Sequence, residues 1–368
     1  MKQIPFFTLQ HQNLQIEEEV QLFYKQLHAE AWYILGTHLE KFEKEYSDYS
    51  SVKHTVGVGN GLDALTLSLK ALNIGKGDEV IVPANTFIAT ILAVTHAGAT
   101  PVLIDPDHFT YNITADGIEK QLSSKTKAVI PVHLYGSPCE MDEIMSLAKK
   151  HSIQIIEDNA QAHGAAYKGK KTGSFGIINA TSFYPVKPLG AYGDGGAITT
   201  NDDVLAHKVK LLRNYGSEEK YYYQTTGFNS RLDELQAGIL SVKLKHLDSW
   251  NEERRQLAHH YSLLLKGVGD IVIPQETKNN KHVYHLYVIQ TDKRNDLNDF
   301  LKKNAIETGI HYPIPAHLQK AYDFLHLKKG TLPVTEILSD KVLSLPLFNG
   351  MKTEEVEYVC EVIRKFYQ

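Results

Sequence analysis

The sequence predicts an α/β fold: a large domain on a mostly parallel central sheet flanked by helices, plus a smaller C-terminal α+β domain. Three observations carry this. Short β-branched runs alternate with helix-length segments over the first two-thirds of the 368 residues. Those runs are apolar throughout, as strands covered on both faces must be. Beyond about residue 248 the pattern changes to one strand-like run and two helical ones.

Taken in order, the glycine-rich GVGNGLDAL, Gly57–Leu65, leads into the first clear helix. Leu62, Leu65, Leu69 and Leu72 recur at helical spacing and predict an amphipathic helix over Asn60–Leu72. Strands are expected at Glu79–Val82, Val102–Asp105, Ala128–Val132, Ile153–Glu157, Ala180–Tyr184 and Ala197–Thr200. Leu232, Leu235, Ile239 and Val242 predict a long helix from about Ser230 to about Leu247, resuming after a break toward Leu265. It joins the large domain, 1–248, to the small one, 249–368. The small domain is expected to hold a strand in Val283–Thr291, a helix at Asp296–Asn304, a loop over His311–Gln319 and a last helix over Thr353–Phe366.

Composition excludes several functions. Acids and bases are interspersed and sum to −4, so no basic field exists for nucleic acid. No apolar run approaches the roughly 18 residues that a membrane span needs. The only cysteines, Cys139 and Cys360, lie far apart and form no thiolate metal site, so no metal is expected. With no signal-peptide pattern in MKQIPFFTLQ, they predict a cytoplasmic protein.

Four features could carry chemistry. Lys187 stands between two prolines in SFYPVKPLGAYGDGGAI, with four glycines following. Prolines and glycines that fold the chain tightly can aim such an amine, and burial would make it a nucleophile. Taken alone, a lysine on a turn is the commoner case. Asp158 ends a buried-looking run in IIEDNAQAHGA, where open α/β sheets gather ligand-binding groups; a helix N-cap fits as well. The glycine turn before Leu62 offers backbone N–H groups suited to phosphate, or is simply a turn. Ser182 could offer its hydroxyl to the same phosphate. Together, an amine, a strand-end carboxylate, a phosphate nest and a hydroxyl are what pyridoxal 5'-phosphate (PLP) requires.

The chain resembles the DegT/DnrJ-type nucleotide-sugar aminotransferases, which are PLP enzymes of the aspartate-aminotransferase fold. The resemblance runs through GVGNGLDAL, VIVPANTFIAT, PVHLYG, EDNAQAHGA, SFYPVKPLGAYGDGGAITTND, LLRNYGS, GFNSRLDELQAG and IHYPIPAHLQ, in order, over essentially the whole chain. It implies that Lys187 is the lysine joined to the cofactor and then the proton carrier, and that Asp158 pairs with the ring nitrogen. Gln161 would lie near the ring hydroxyl and Phe87 against the ring face. Gly61, Leu62 and Asp63 would begin the phosphate helix, with Ser182 beside it. Asn229 would reach the phosphate in a neighbouring subunit, which implies a homodimer.

Some family members are dehydratases with histidine at the lysine position; Lys187 favours transamination, with pyridoxamine phosphate (PMP) as the alternate cofactor form. Ser51, where glycine is usual, and Tyr215, where histidine is common, depart from the pattern without touching the core chemistry. The resemblance implies L-glutamate as donor and a nucleotide-linked keto sugar as acceptor, closest to a dTDP-3-keto-6-deoxyhexose. Amination at the fourth carbon of a UDP- or dTDP-sugar is the alternative, and a non-catalytic regulator or scaffold on the same fold is another. Arg231, His311 and Tyr312 are expected substrate contacts, with a packing role for His311 equally open. The run Tyr221–Tyr223 reads as an exposed loop. His163, His285 and His317 receive no role.

Overall fold

The computed structural model describes residues 3–368. Its central sheet has seven strands: β1 (His54–Val58), β2 (Glu79–Pro83), β3 (Thr100–Ile104), β4 (Thr126–Val129), β5 (Gln154–Asp158), β6 (Ile178–Ser182) and β7 (Gly196–Thr200). They lie in the order β1-β7-β6-β5-β4-β2-β3. Pairs β2–β3, β2–β4, β4–β5 and β5–β6 are parallel, and β7 runs antiparallel to both its neighbours. The sheet is therefore mostly parallel, with the carboxyl ends of β2 to β6 on one edge.

The six expected strands all appear, shifted by one to three residues. β1 is the strand that the sequence reading does not mark. Its five residues, HTVGV, hold only two aliphatic side chains. Gly57 belongs there because its neighbours come too close for a side chain: a Cβ would stand 2.7 Å from Leu39 Cδ1.

Helix α1 (Gly61–Ala71) differs from the amphipathic reading. Residues Ala64 to Leu69 are all buried, Thr66 and Ser68 included. A surface helix shows a stripe, but α1 packs between β6 and β7 and two further helices, α2 (Ile88–Ala97) and α3 (Asp203–Arg213). Its two buried hydroxyls are satisfied locally. Thr66 donates to the Leu62 carbonyl at 2.9 Å and Ser68 to that of Ala64 at 2.7 Å.

The expected long helix is two: α4 (Glu234–Leu244) and α5 (Leu247–Leu265). Residue 248 lies one position inside α5. Beyond it come α6 (Arg294–Lys303), α7 (Pro333–Lys341) and α8 (Thr353–Tyr367). They accompany an antiparallel pair, β8 (Tyr287–Gln290) with β9 (Val342–Leu345). A second core forms here from Tyr261, Tyr287, Leu297, Leu343 and Val359, joined by Ile4 from the other end of the chain. Asp105, the residue after β3, accepts hydrogen bonds from Val334 N at 3.1 Å and Thr335 N at 2.8 Å. It thus caps the start of α7 from the central sheet.

A buried polar knot fixes the carboxyl end of β5. The Nδ1 of His133 accepts from Cys139 N at 3.1 Å, so its proton sits on Nε2, which donates to Glu157 at 2.9 Å. Glu157 also accepts from the backbone N–H groups of Gly173, Phe175 and Gly176 at 2.7, 2.6 and 2.8 Å. Burial alone would raise this carboxyl; the donors from His133 and the glycines overcome it and hold it below the usual range. Among the described residues no helix is long and apolar enough to cross a membrane, and no cluster of three or more His, Cys, Asp or Glu could hold a metal.

Glu157→Gln sets an amide NH₂ against this row of N–H donors. We expect it to lower unfolding free energy by about 2–4 kcal/mol. The measurement is the urea midpoint, which should fall with the slope unchanged; an unmoved midpoint would contradict the assignment.

Candidate active site

Alternation of side chains along β5 turns Asp158 to the opposite face from Glu157, at the carboxyl edge of the sheet. It is 5% exposed. Its Oδ2 accepts from Thr90 Oγ1 at 2.8 Å and its Oδ1 from Ala160 N at 3.1 Å. Burial raises the carboxyl, while the Thr90 hydroxyl, the Ala160 N–H and the Lys187 charge pull it back.

Lys187 sits on the loop after β6. The loop is closed by Lys187 N donating to the Tyr184 carbonyl at 2.9 Å and Ala191 N to that of Phe183 at 2.8 Å. Gly190 folds onto the loop so tightly that a Cβ would stand 2.2 Å from the Pro185 carbonyl oxygen. From α4, the buried Lys243 ammonium donates to the Gly190 carbonyl at 2.7 Å. The Lys187 amine makes no hydrogen bond among the described residues. Burial pulls its pKa down to about 8, against the opposing pull of Asp158. About a tenth is therefore neutral, and nucleophilic, at pH 7, against about one part in three thousand for an ordinary lysine.

The amino end of α1 faces the end of β6. Asn60 caps the helix, its Oδ1 accepting from Asp63 N at 2.8 Å. The N–H groups of Gly61 and Leu62 remain without acceptors among the described residues. Gly61 lies so close to Ser182 that a Cβ would meet the serine Cβ at 2.5 Å. Ser182 is only partly buried, and its oxygen accepts from Tyr184 N at 3.3 Å, leaving its proton free to donate. Two free N–H groups at the positive end of a helix, with a hydroxyl beside them, form an anion cradle. The Asp63 carboxylate turns away to accept from Ser230 Oγ at 2.7 Å, and that oxygen accepts from Gly59 N at 3.0 Å.

The opposite wall comes from Gln161 and the C-terminal segment. Tyr135 N donates to Gln161 Oε1 at 2.7 Å, and Gln161 Nε2 donates to the Tyr312 hydroxyl at 3.3 Å. The Tyr135 hydroxyl donates to the His311 carbonyl. His311 shares a hydrogen bond with Ser344 Oγ at 2.8 Å and stacks on Phe6. The Phe87 ring, 49% exposed, stands 5.6 Å from that of Tyr312.

Three imidazoles feel the charge of the amine. Burial and then the Lys187 charge lower His311 to about 4 and His163 to about 3, and drive His285 well below its ordinary value. All three are neutral near pH 7, so they add no competing cation. His163 and His285 thus belong to the surroundings of Lys187, which the sequence reading does not see. His317 does not; it pairs with Glu336 at 3.0 Å.

Asn229 and Arg231 flank Ser230, whose hydroxyl ties this segment to Gly59 and Asp63 at the start of α1. Asn229 is exposed, and its side chain makes no hydrogen bond among the described residues. Arg231 donates to Asn214 Oδ1 at 2.9 Å and lies 5.3 Å from the Tyr215 ring centre. Tyr221–Tyr223 are exposed on a small hairpin. Thr90 and Tyr135 are the contributors that no spacing rule singles out. Both stand inside quoted motifs, NTFIAT and PVHLYG, but only the fold shows what they touch.

A free amine, a buried carboxylate that can face a ring nitrogen, and an anion cradle at a glycine where no side chain fits suit PLP. Fold and site together define a PLP enzyme of the aspartate-aminotransferase architecture, fold type I. The chain belongs to the DegT/DnrJ/EryC1/StrS aminotransferase family, whose pattern it matches over residues 14–364, and it is a PLP-dependent aminotransferase. It is 48% identical, over 99% of each chain, to the dTDP-3-amino-3,6-dideoxy-alpha-D-galactopyranose transaminase of Aneurinibacillus thermoaerophilus. It is 46% identical, again over 99% of each, to a "pleiotropic regulatory protein" of Geobacillus stearothermophilus. The crystal structure of DesV from S. venezuelae, in complex with a ketimine intermediate, superposes with a TM-score of 0.98 at 41% identity, covering 100% of this chain and 99% of that one. Names of further relatives carry UDP- and GDP-linked sugars, and solved relatives include PLP and PMP forms.

With cofactor absent, competitive acetylation followed by peptide mapping should show Lys187 half-reacted near pH 8, where its neutral form takes over. An ordinary lysine would be half-reacted near 10.5. A midpoint near that higher value would rule out the buried-amine reading.

Proposed function

We propose that this protein transfers an amino group from L-glutamate to the third carbon of a dTDP-linked 3-keto-6-deoxyhexose, yielding an amino sugar. The observation that carries the transamination reading is a Lys187 amine free of hydrogen bonds beside the buried Asp158 carboxylate. The sugar assignment is supported by the name of the Aneurinibacillus relative.

Bound in the site, PLP supplies an aldehyde that links to amines and a ring that takes up an electron pair. The chain supplies the rest. Lys187 would hold the cofactor through its Nζ, which is freed when a donor amine takes its place. Its neutral Nζ would then take the proton from the substrate α-carbon, becoming an ammonium that can give the same proton back as an acid. Asp158 would keep the ring nitrogen protonated. Gly61 and Leu62 N–H, with the Ser182 hydroxyl, would hold the phosphate. Gln161 would lie near the ring hydroxyl and Phe87 would cover the ring face.

Arg231, His311 and Tyr312 are the residues that we assign to the sugar nucleotide. Arg231 has a charge and no carboxylate partner among the described residues, which suits a pyrophosphate. Asn229, exposed and unengaged within its own chain, fits a role in completing the site of a second subunit.

Lys187→Ala should keep its fold and bind cofactor non-covalently while losing turnover by about 10²–10⁴-fold or more, read by product formation. Wild-type turnover in that variant would overturn the assignment. A panel of dTDP-, UDP- and GDP-linked keto sugars, with products analysed by mass spectrometry and NMR, should give amination at the third carbon of the dTDP sugar. Amination solely at the fourth carbon would end that sugar assignment. The name of the Geobacillus relative favours a second reading, a regulator on the same fold; a protein that cannot be loaded with PLP would support it.

A further inference from the structure

Asp158 is reached by a chain of hydroxyls. Thr86 Oγ1 lies 2.9 Å from Thr90 Oγ1, and Thr90 Oγ1 lies 2.8 Å from Asp158 Oδ2. Thr86, Thr90 and Asp158 are 6%, 1% and 5% exposed, so water does not compete. An ionised carboxylate only accepts hydrogen bonds. Thr90 must therefore give its proton to Asp158, and its oxygen then accepts the proton of Thr86. The chain has one direction. Thr86 and Thr90 sit four residues apart around the start of α2, so the backbone fixes their spacing.

We propose that Thr86 and Thr90 form a directional relay of positioning residues that holds Asp158 ionised and aims its remaining lone pairs at the cofactor ring nitrogen. The inference rests on the reading of Asp158 as partner of that nitrogen. Thr90 is the largest of the influences that oppose the effect of burial on this carboxyl. The other groups that feel or shape its charge are the Ala160 N–H, Lys187, His133, Tyr312 and Cys139. Of these the Ala160 N–H, Lys187 and His133 favour ionisation of Asp158, and only the first donates a hydrogen bond to the carboxylate. The Lys187 amine makes no hydrogen bond among the described residues, and the His133 ring gives its proton to Glu157.

The test reads the ring nitrogen directly. Holoenzyme loaded with ¹⁵N-labelled PLP is titrated by NMR. In Thr90→Val, which keeps the shape and removes the donor, the ring nitrogen should lose its proton about one pH unit lower than in wild type. Thr90→Ser should restore the wild-type midpoint. Thr86→Val should shift it by less, in the same direction. Asp158→Asn separates the two layers. If that variant leaves the nitrogen signal unchanged, the reading of Asp158 itself fails. If it moves the signal and Thr90→Val does not, the relay alone is overturned. Should Thr90→Val fail to fold, Thr86→Val decides: a downward shift supports the relay and an unmoved midpoint overturns it.

Discussion

The site depends on one buried carboxylate. A charge withdrawn from water at the end of β5 is tolerated only with hydrogen bonds and an opposite charge nearby. Asp158 has both, from Thr90, from Ala160 N and from the Lys187 side. That requirement explains the surroundings. The amine cannot be tied up by a salt bridge, or it would stop being a nucleophile. The imidazoles about it cannot be charged, or they would compete for the carboxylate. Burial satisfies both conditions at once, lowering the amine and the imidazoles together.

Two consecutive acids on one strand meet opposite fates. Glu157 is enclosed by four donors within the chain and serves the fold, pinning the 173–176 turn under the sheet. Asp158, one residue on, keeps lone pairs unspent. The alternation of a strand is what separates them. The same economy holds at the cradle. Asn60 takes the N–H of Asp63 and leaves those of Gly61 and Leu62 unclaimed. In each case the residue used for chemistry is the one that the fold leaves incompletely bonded.

Much of this was legible in the sequence, and the reasons are physical. Strands covered on both faces read as apolar runs, so six of seven were visible; β1 was hidden because a packed glycine and two polar residues replace its aliphatic face. The burial of α1 was underestimated because its hydroxyls bond back to their own helix, which a count of apolar spacings misses. Lys187 and Asp158 could be singled out by their place after strands, the lysine among prolines and glycines; Ser182 gained a meaning only beside them. Thr90, Tyr135, His163 and His285 did not. Their partners lie 68, 26, 18 and about a hundred positions away, so only the closed sheet brings them together. Local pattern cannot report a contact made at such range.

The cap that Asp105 places on α7 constrains how the cleft can breathe. Both its oxygens grip the first turn of a helix that lies just beyond the His311–Tyr312 segment, while the acid itself is rooted in an edge strand of the central sheet. The C-terminal portion is moored elsewhere as well, by Val283 N and Leu286 N on the carbonyls of Gly136 and Tyr135 at 3.0 and 3.3 Å and by the Tyr135 hydroxyl on the His311 carbonyl. A swing about a single pivot would break several of these ties together. The Tyr312 wall is therefore held to the central sheet, and the mouth of the cleft can change by side-chain movement at lower cost than by parting the two portions.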